Sequence, residues 1–309
     1  MKKQYGLIYQ EPRIQDYIFG AGSLIKKDIL EPECDWSDYL PLMERQNAVY
    51  MDSMACVTFS ALNCLETLLL RKYGVLYNFS DRFIAKLSGT TKQGNSAVAV
   101  ADTIRKNGLL LEEGWVYPNQ QRTPPFTWDD YYADIPSSLI AEAKLFLTQF
   151  EIGYEWIPAE KFTDNLQYGP IQVFVRAWYD KNKDGVYESP SNVNFNHAVE
   201  LIKPHHVFDS YEPGIKQLEA SYDFAPYGLQ FTINKITMLD SFLALFKKKN
   251  DTKLVRNQVT GEWAWFYNDS LRIPKTSERK VEALANYLIK KEGTNISQED
   301  WDKLPHVEL

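Results

Sequence analysis

The sequence predicts an α+β fold, and three observations carry that expectation. Between Cys56 and Phe150 apolar residues recur at helical spacing. From Pro170 onward the pattern changes to short alternating runs rich in β-branched residues, the signature of strands. Serines and glycines stand where helices of those lengths would start and stop.

Taken in order, residues 1–40 are polar and aromatic with little periodicity, and read as an N-terminal arm lying over the main body. Val57, Ala61, Leu65, Leu68 and Leu69 share one face of a helix running from Cys56 to Tyr73, with Asp52 or Ser53 as its cap and Gly74 as its C-terminal stop. Ser80 to Leu87 and Ser96 to Asn107 form two more helices, the second ended by Gly108, and Leu139 to Phe150 a further amphipathic one. Strands are expected over residues 170–175, His197 to Ile202, Val207 to Tyr211 and Gly228 to Ile233. A helical half followed by an antiparallel β half leaves a cleft between them, a common place for a site. Further on, Ile236 to Phe246 reads as a helix and Lys247 to Asp251 as an exposed linker. Glu262 to Tyr267 and Leu271 to Ile273 form a hairpin across Asn268-Asp269-Ser270, and a helix follows from Ser277 to Lys291, stopped by Gly293. A short piece begins at Ser297 with Asp300 in capping-box position. This last segment, 247–309, is small to stand alone and is expected to pack on the body or on a protein partner.

Composition narrows the function classes. At 309 residues, 44% hydrophobic and 14% aromatic, the chain can bury a large core. A net charge of −7 argues against nucleic acid and anionic membranes as partners. The basic start Met1-Lys2-Lys3 is not followed by an apolar signal core, and no apolar run has the length of a membrane span. Three cysteines, Cys34, Cys56 and Cys64, are too few for a disulfide scaffold, which suits a reducing compartment. Cys64, eight residues after Cys56 on the same helix, reads as a small buried core residue, with a disulfide to Cys34 as the lesser alternative. The expected location is therefore cytoplasmic, or on a particle assembled there.

Two stretches carry chemistry. Met54-Ala55-Cys56-Val57-Thr58-Phe59-Ser60-Ala61 sets a thiol at the start of a long helix, and Asn196-His197-Ala198-Val199 sets an imidazole at the start of a strand. A thiol becomes a good nucleophile as its thiolate, and a helix N-terminus and a nearby imidazolium both favour that form. Cys56 as nucleophile and His197 as base therefore point to a cysteine-dependent hydrolase, whereas alone each residue would fit a buried core position equally well. Asp209, in Asp209-Ser210-Tyr211, reads either as the group orienting His197 or as a turn former. His205-His206 falls in a turn after Pro204 without the cysteine or carboxylate company of a metal site.

These residues resemble the papain-like cysteine peptidases. The family's Cys-Trp-Ala-Phe-Ser is similar to Cys56-Val57-Thr58-Phe59-Ser60, and its Asn-His-Ala-Val matches Asn196-His197-Ala198-Val199 in full. The separation of 141 residues lies inside the roughly 130–150 of that family. Asp209-Ser210-Tyr211 takes the place of its Asn-Ser-Trp. Asn78-Phe79-Ser80-Asp81 resembles its second helix start, and Gly94-Asn95-Ser96 its glycine-containing cleft wall. The resemblance covers about residues 40 to 234 and implies a papain-like domain over 41–246 that hydrolyses peptide bonds through a Cys56-His197-Asp209 triad. It further implies substrate contacts at Gly94, Asn95 and Asn196. The family's oxyanion-hole glutamine is replaced by Tyr50, so Gln46, ten residues ahead of Cys56, is assigned that role together with the Cys56 N–H. Val57 and Tyr211 stand where the family has cleft tryptophans. The overall style is also similar to papain-like proteins of tailed bacteriophages. Two other functions fit the same pattern: a peptidoglycan-cleaving amidase or endopeptidase, and an inactive structural virion protein on the same fold.

A separate signal lies in Asp180-Lys181-Asn182-Lys183-Asp184-Gly185, with Glu188 at position nine. It resembles an EF-hand-type calcium loop whose twelfth-position glutamate is replaced by Ser191. It reads as a structural calcium site or as a polar hairpin tip. No cofactor is required for the expected chemistry.

Overall fold

A computed structural model describes residues 5–13, 16, 18, 28–47, 51–112, 127–178, 185–191 and 193–236, together with the backbone of four short strands beyond them. Its contacts divide the chain into two units, residues 1–235 and 236–309.

Helix α1 (Cys56–Tyr73) forms the centre of the first unit, because every residue from Cys56 to Leu69 is buried. A helix apolar on nearly all sides belongs inside a core. Ser60 Oγ donates to the Cys56 carbonyl at 2.7 Å, and Gln172 Nε2, from the sheet, donates to the Val57 carbonyl at 2.8 Å. Gly74 ends the helix in the left-handed region at φ 67°, where a glycine costs least. The start differs from expectation. Neither Asp52 nor Ser53 caps it; Ala55 occupies that position without a side-chain bond, and Asp52 Oδ1 instead accepts from the Met54 N–H. Met54, at φ 56°, supplies the sharp entry.

Helices α2 (Asp81–Leu87) and α3 (Ala97–Asn107) begin at Ser80 and Ser96, whose hydroxyls accept from the third helical N–H as the sequence predicts. A short helix α4 (Trp128–Tyr131) opens with a capping box between Thr127 and Asp130. Helix α5 (Ser137–Gln149) stops one residue short of Phe150, which begins a strand instead.

Six strands make one antiparallel sheet: β1 (Phe150–Pro158), β2 (Ile171–Val175), β3 (His197–Lys203), β4 (His206–Phe208), β5 (Ile215–Gln217) and β6 (Tyr227–Lys235), in the order β1-β6-β2-β3-β4-β5. A one-turn helix α6 (Phe162–Asn165) precedes β2. Helix α1 packs across β2, β3 and β6, with α2 and α3 against it. This is the α+β arrangement the sequence predicts, with β1 and β5 as additions. Strand β4 ends at Phe208, so Asp209 to Tyr211 leave the sheet rather than continue it. Its turn to β3 carries His205, whereas His206, expected in that turn, is the first residue of β4, with Nδ1 at 3.0 Å from the Pro204 carbonyl. All three cysteines are free thiols.

The second unit contains β7 (Lys253–Arg256), β8 (Trp263–Tyr267), β9 (Ser270–Arg272) and β10 (His306–Glu308), in the order β10-β7-β8-β9. The expected hairpin is there as β8 and β9. The helices expected over 236–246 and 277–291 and the linker at 247–251 lie outside the described residues. Among the described residues, no helix is long and apolar enough to cross a membrane.

Candidate active site

Cys56 is the first residue of α1, and His197 the first of β3, paired with Val175 across the sheet. Packing α1 onto β3 brings the two segments together, with the backbone N–H groups of Ala198 and Val57 near enough to the Cys56 sulfur to favour its thiolate. Both side chains are completely buried. Burial pushes the Cys56 thiol well up, the two backbone donors pull it down, and the charges of Asp209 and Asp52 raise it further.

The His197 ring uses Nε2 to bond Asp209 Oδ1 at 2.7 Å, and among the described residues its Nδ1 has no hydrogen-bond partner. Asp209 accepts from four donors. Oδ1 also takes the Tyr211 N–H at 3.2 Å, and Oδ2 takes Trp178 Nε1 at 2.7 Å and the Lys216 ammonium at 2.8 Å. Burial would push this carboxyl up. The His197 ring and then Lys216 overcome that and hold it below the usual carboxylate range. Sequence reasoning missed both Lys216 and Trp178. The Trp178 ring stands edge-on to His197 with centroids 5.9 Å apart, shielding the His197–Asp209 bond from a segment far upstream of Tyr211. Asn196 holds that segment in place, accepting the Ala177 N–H at 2.8 Å.

Gln46 is buried beside this group. Its Nε2 lies 3.0 Å from the Tyr5 carbonyl, 2.9 Å from Asp52 Oδ1 and 2.9 Å from the Tyr211 hydroxyl, while its Oε1 accepts from Ser210 Oγ. Tyr211 donates to Asp52 Oδ2, and burial together with the Asp52 charge raises its phenol. Tyr50 lies outside the described residues.

The arm enters the site through an isolated parallel bridge between Leu7 and Asn95. Asn95 N–H donates to the Gly6 carbonyl at 2.9 Å, Ile8 N–H to the Asn95 carbonyl at 2.9 Å, and Leu7 N–H to the Asn196 carbonyl at 3.3 Å. The Tyr5 ring packs 5.3 Å from the His197 ring and 5.4 Å from that of Tyr211. The approach is tight enough to need two glycines at positive φ. A Cβ on Gly94 would stand 1.9 Å from the Gly6 carbonyl oxygen, and one on Gly6 2.2 Å from that of Met54. Gly94, Asn95 and Asn196 therefore line the groove that the arm fills. Of the calcium-loop residues, Asp180, Asn182 and Asp184 lie outside the described residues and Glu188 is exposed. Among the described residues, no cluster of three or more metal-binding side chains forms.

No family model and no curated protein matches the chain. Solved structures of papain-family cysteine proteases do. A structure from work on the mite allergens Blo t 1 and Der p 1 is 15% identical, with a TM-score of 0.44 over 72% of this chain and 74% of that one. The clostridial cysteine protease Cwp84 after propeptide cleavage is 15% identical, with a TM-score of 0.47 over 64% of this chain and 56% of that one. The bromelain protease from Ananas comosus, in complex with an inhibitor, is 20% identical, with a TM-score of 0.44 over 64% of this chain and 97% of that one.

Proposed function

We propose that the chain is a papain-like cysteine peptidase that hydrolyses peptide bonds through Cys56, His197 and Asp209 by way of a thioester. One observation carries this reading. A buried histidine commits Nε2 to a buried carboxylate and keeps Nδ1 unpartnered, one residue from the backbone N–H that reaches the Cys56 sulfur. Nδ1 is then the atom that accepts the thiol proton as sulfur attacks the substrate carbonyl. Gln46 Nε2 and the Cys56 N–H stabilise the oxyanion. The same proton passes to the leaving amine, and water, deprotonated by His197, releases the acid from the thioester.

The arm supports a polypeptide substrate over a peptidoglycan cross-link. Asn95 and Asn196 engage successive main-chain groups of the arm, and Gln46 already donates to a peptide carbonyl. The complete burial of Cys56 and His197 favours a second reading, an inactive structural protein, and reactivity separates the two. An epoxysuccinyl probe is expected to label Cys56 selectively over Cys34 and Cys64, with labelling lost in Cys56→Ala and reduced at least about 100-fold in His197→Ala. Folded protein whose Cys56 reacts no more slowly after His197→Ala would be a scaffold.

A further inference from the structure

We propose that Lys216 is a positioning residue of this site: its ammonium cancels the charge of Asp209, so that the His197 ring meets a neutral hydrogen-bond acceptor rather than a bare carboxylate. The inference rests on the Cys56–His197 reading and extends it.

Lys216 is the inward-facing residue of the three-residue strand β5, flanked by exposed Ile215 and Gln217. Register places it opposite Val207 of β4, and its side chain is 1% exposed. An edge-strand lysine ordinarily points to water. This one has three donors on three acceptors: Asp209 Oδ2 at 2.8 Å and the carbonyls of Tyr211 and Pro213, both at 2.6 Å. Its Nζ also lies 5.3 Å from the Trp178 ring and 5.9 Å from that of Tyr187. The ammonium therefore braces both the carboxylate and the Tyr211–Pro213 backbone that follows it.

The consequence is electrostatic. In a dry site an unbalanced carboxylate one hydrogen bond beyond the imidazole would oppose negative charge on the Cys56 sulfur, adding to the pull of Asp52. Lys216 turns that monopole into a compact pair. The other groups facing this cluster are the phenols of Tyr5 from the arm, Tyr132 beyond α4, Tyr187 and Tyr211. None of these carries a positive charge, so among them and the two aspartates Lys216 is the fixed cation.

The test is the pH profile of Cys56 alkylation by iodoacetamide, measured by mass spectrometry in the full chain and in a full-chain Gly6→Val background that loosens the arm. Lys216→Met is expected to move the profile up by about one pH unit, a roughly tenfold loss at neutral pH. Lys216→Arg keeps the profile. Asp209→Asn, which leaves the cation without its counter-charge, moves it the opposite way. Asp209→Asn with Lys216→Met removes both charges and brings the profile back toward wild type. Should Lys216→Met not fold, the Asp209→Asn shift and its reversal in the double variant carry the result. A profile that stays in place in every folded variant, with only thermal stability changed, would make Lys216 a structural ion-pair partner and overturn the inference while leaving the peptidase reading intact. If wild-type Cys56 is unreactive in both backgrounds, the peptidase reading falls and this inference with it.

Discussion

Asp209 and Glu200 are both buried carboxylates, and they hold their protons oppositely. Asp209 follows β4; Glu200 lies in β3 and pairs in register with Phe208 at the end of β4. Asp209 has four donors including a cation and sits below the usual carboxylate range. Among the described residues, Glu200 has no donor in hydrogen-bonding geometry at either oxygen, only the Thr67 hydroxyl nearby, and burial pushes it up to about 8. Burial therefore does not decide the charge of a carboxyl group; the number and sign of its neighbours do. One site is built to keep a charge in the core, and the other keeps a proton there.

The largest way to break the contrast is to remove the ionised member. Asp209→Ala strands Lys216 as a buried cation and frees the His197 ring. Peptide hydrolysis is expected to fall by about 100- to 10,000-fold. Stability should fall by about 3–5 kcal/mol, the cost of leaving a buried charge unpaired. The pH dependence has a fixed sign. A carboxyl group with a depressed folded pKa contributes stability above its unfolded value, and that contribution is lost as acid brings the pH down through the folded one. Wild type should show this acid limb in urea melts, and Asp209→Ala should lack it.

Glu200→Gln tests the other member, with a smaller effect of opposite sign. The folded pKa of about 8 lies above the unfolded value near 4.3. Folding must therefore bind a proton, and the cost grows as pH rises from the unfolded pKa to the folded one. Replacing Glu200 by its neutral isostere is expected to stabilise by on the order of 3–4 kcal/mol at pH 7 and by almost nothing at pH 4, with hydrolysis unchanged. Equal stabilisation at both pH values would mean that Glu200 is ionised in the fold.

The same contrast marks what the sequence could reveal. Local signals were legible: Gly74, Ser80, Ser96 and Gly108 bound their helices as expected, and the run beginning at His197 forms a strand. Strand β1 was not, because its second half buries Glu155, Trp156 and Ile157 in succession and so lacks the period of two that marks a half-exposed strand. The arm could be read as covering the body but not as entering the site, since its contacts are main-chain bonds to Asn95 and Asn196 that no side-chain pattern encodes. Lys216 and Trp178 lie in segments with no motif, and only the pairing of β4 with β5 and the Asn196 bond to Ala177 bring them to Asp209. Neighbours that set a group's charge come from remote strands, so the chemistry of Asp209 could be guessed at from chain order while the cation that fixes its state could not.

The smallest expected effect sharpens the comparison by separating the arm from the core. The arm packs beside the Cys56 site, with the Tyr5 ring 5.3 Å from the His197 ring and Gly6 against Met54, whereas Glu200 faces α1 through Thr67. Gly6→Val places a branched side chain at φ +107°, where its Cβ would lie 2.2 Å from the Met54 carbonyl oxygen. Strain of about 1–2 kcal/mol against the seated arm corresponds to a roughly 5- to 30-fold change in its seated-to-released ratio. Cys56 alkylation should rise by that factor, because release of the arm admits water and removes part of the burial that raises the thiol. The pH limb due to Glu200 should stay where it is, because its burial comes from helix against sheet. An alkylation rate unchanged by Gly6→Val, in protein that melts as wild type, would assign the closure of Cys56 to α1 and β3 alone. Thiol and glutamate would then be raised by the same packing.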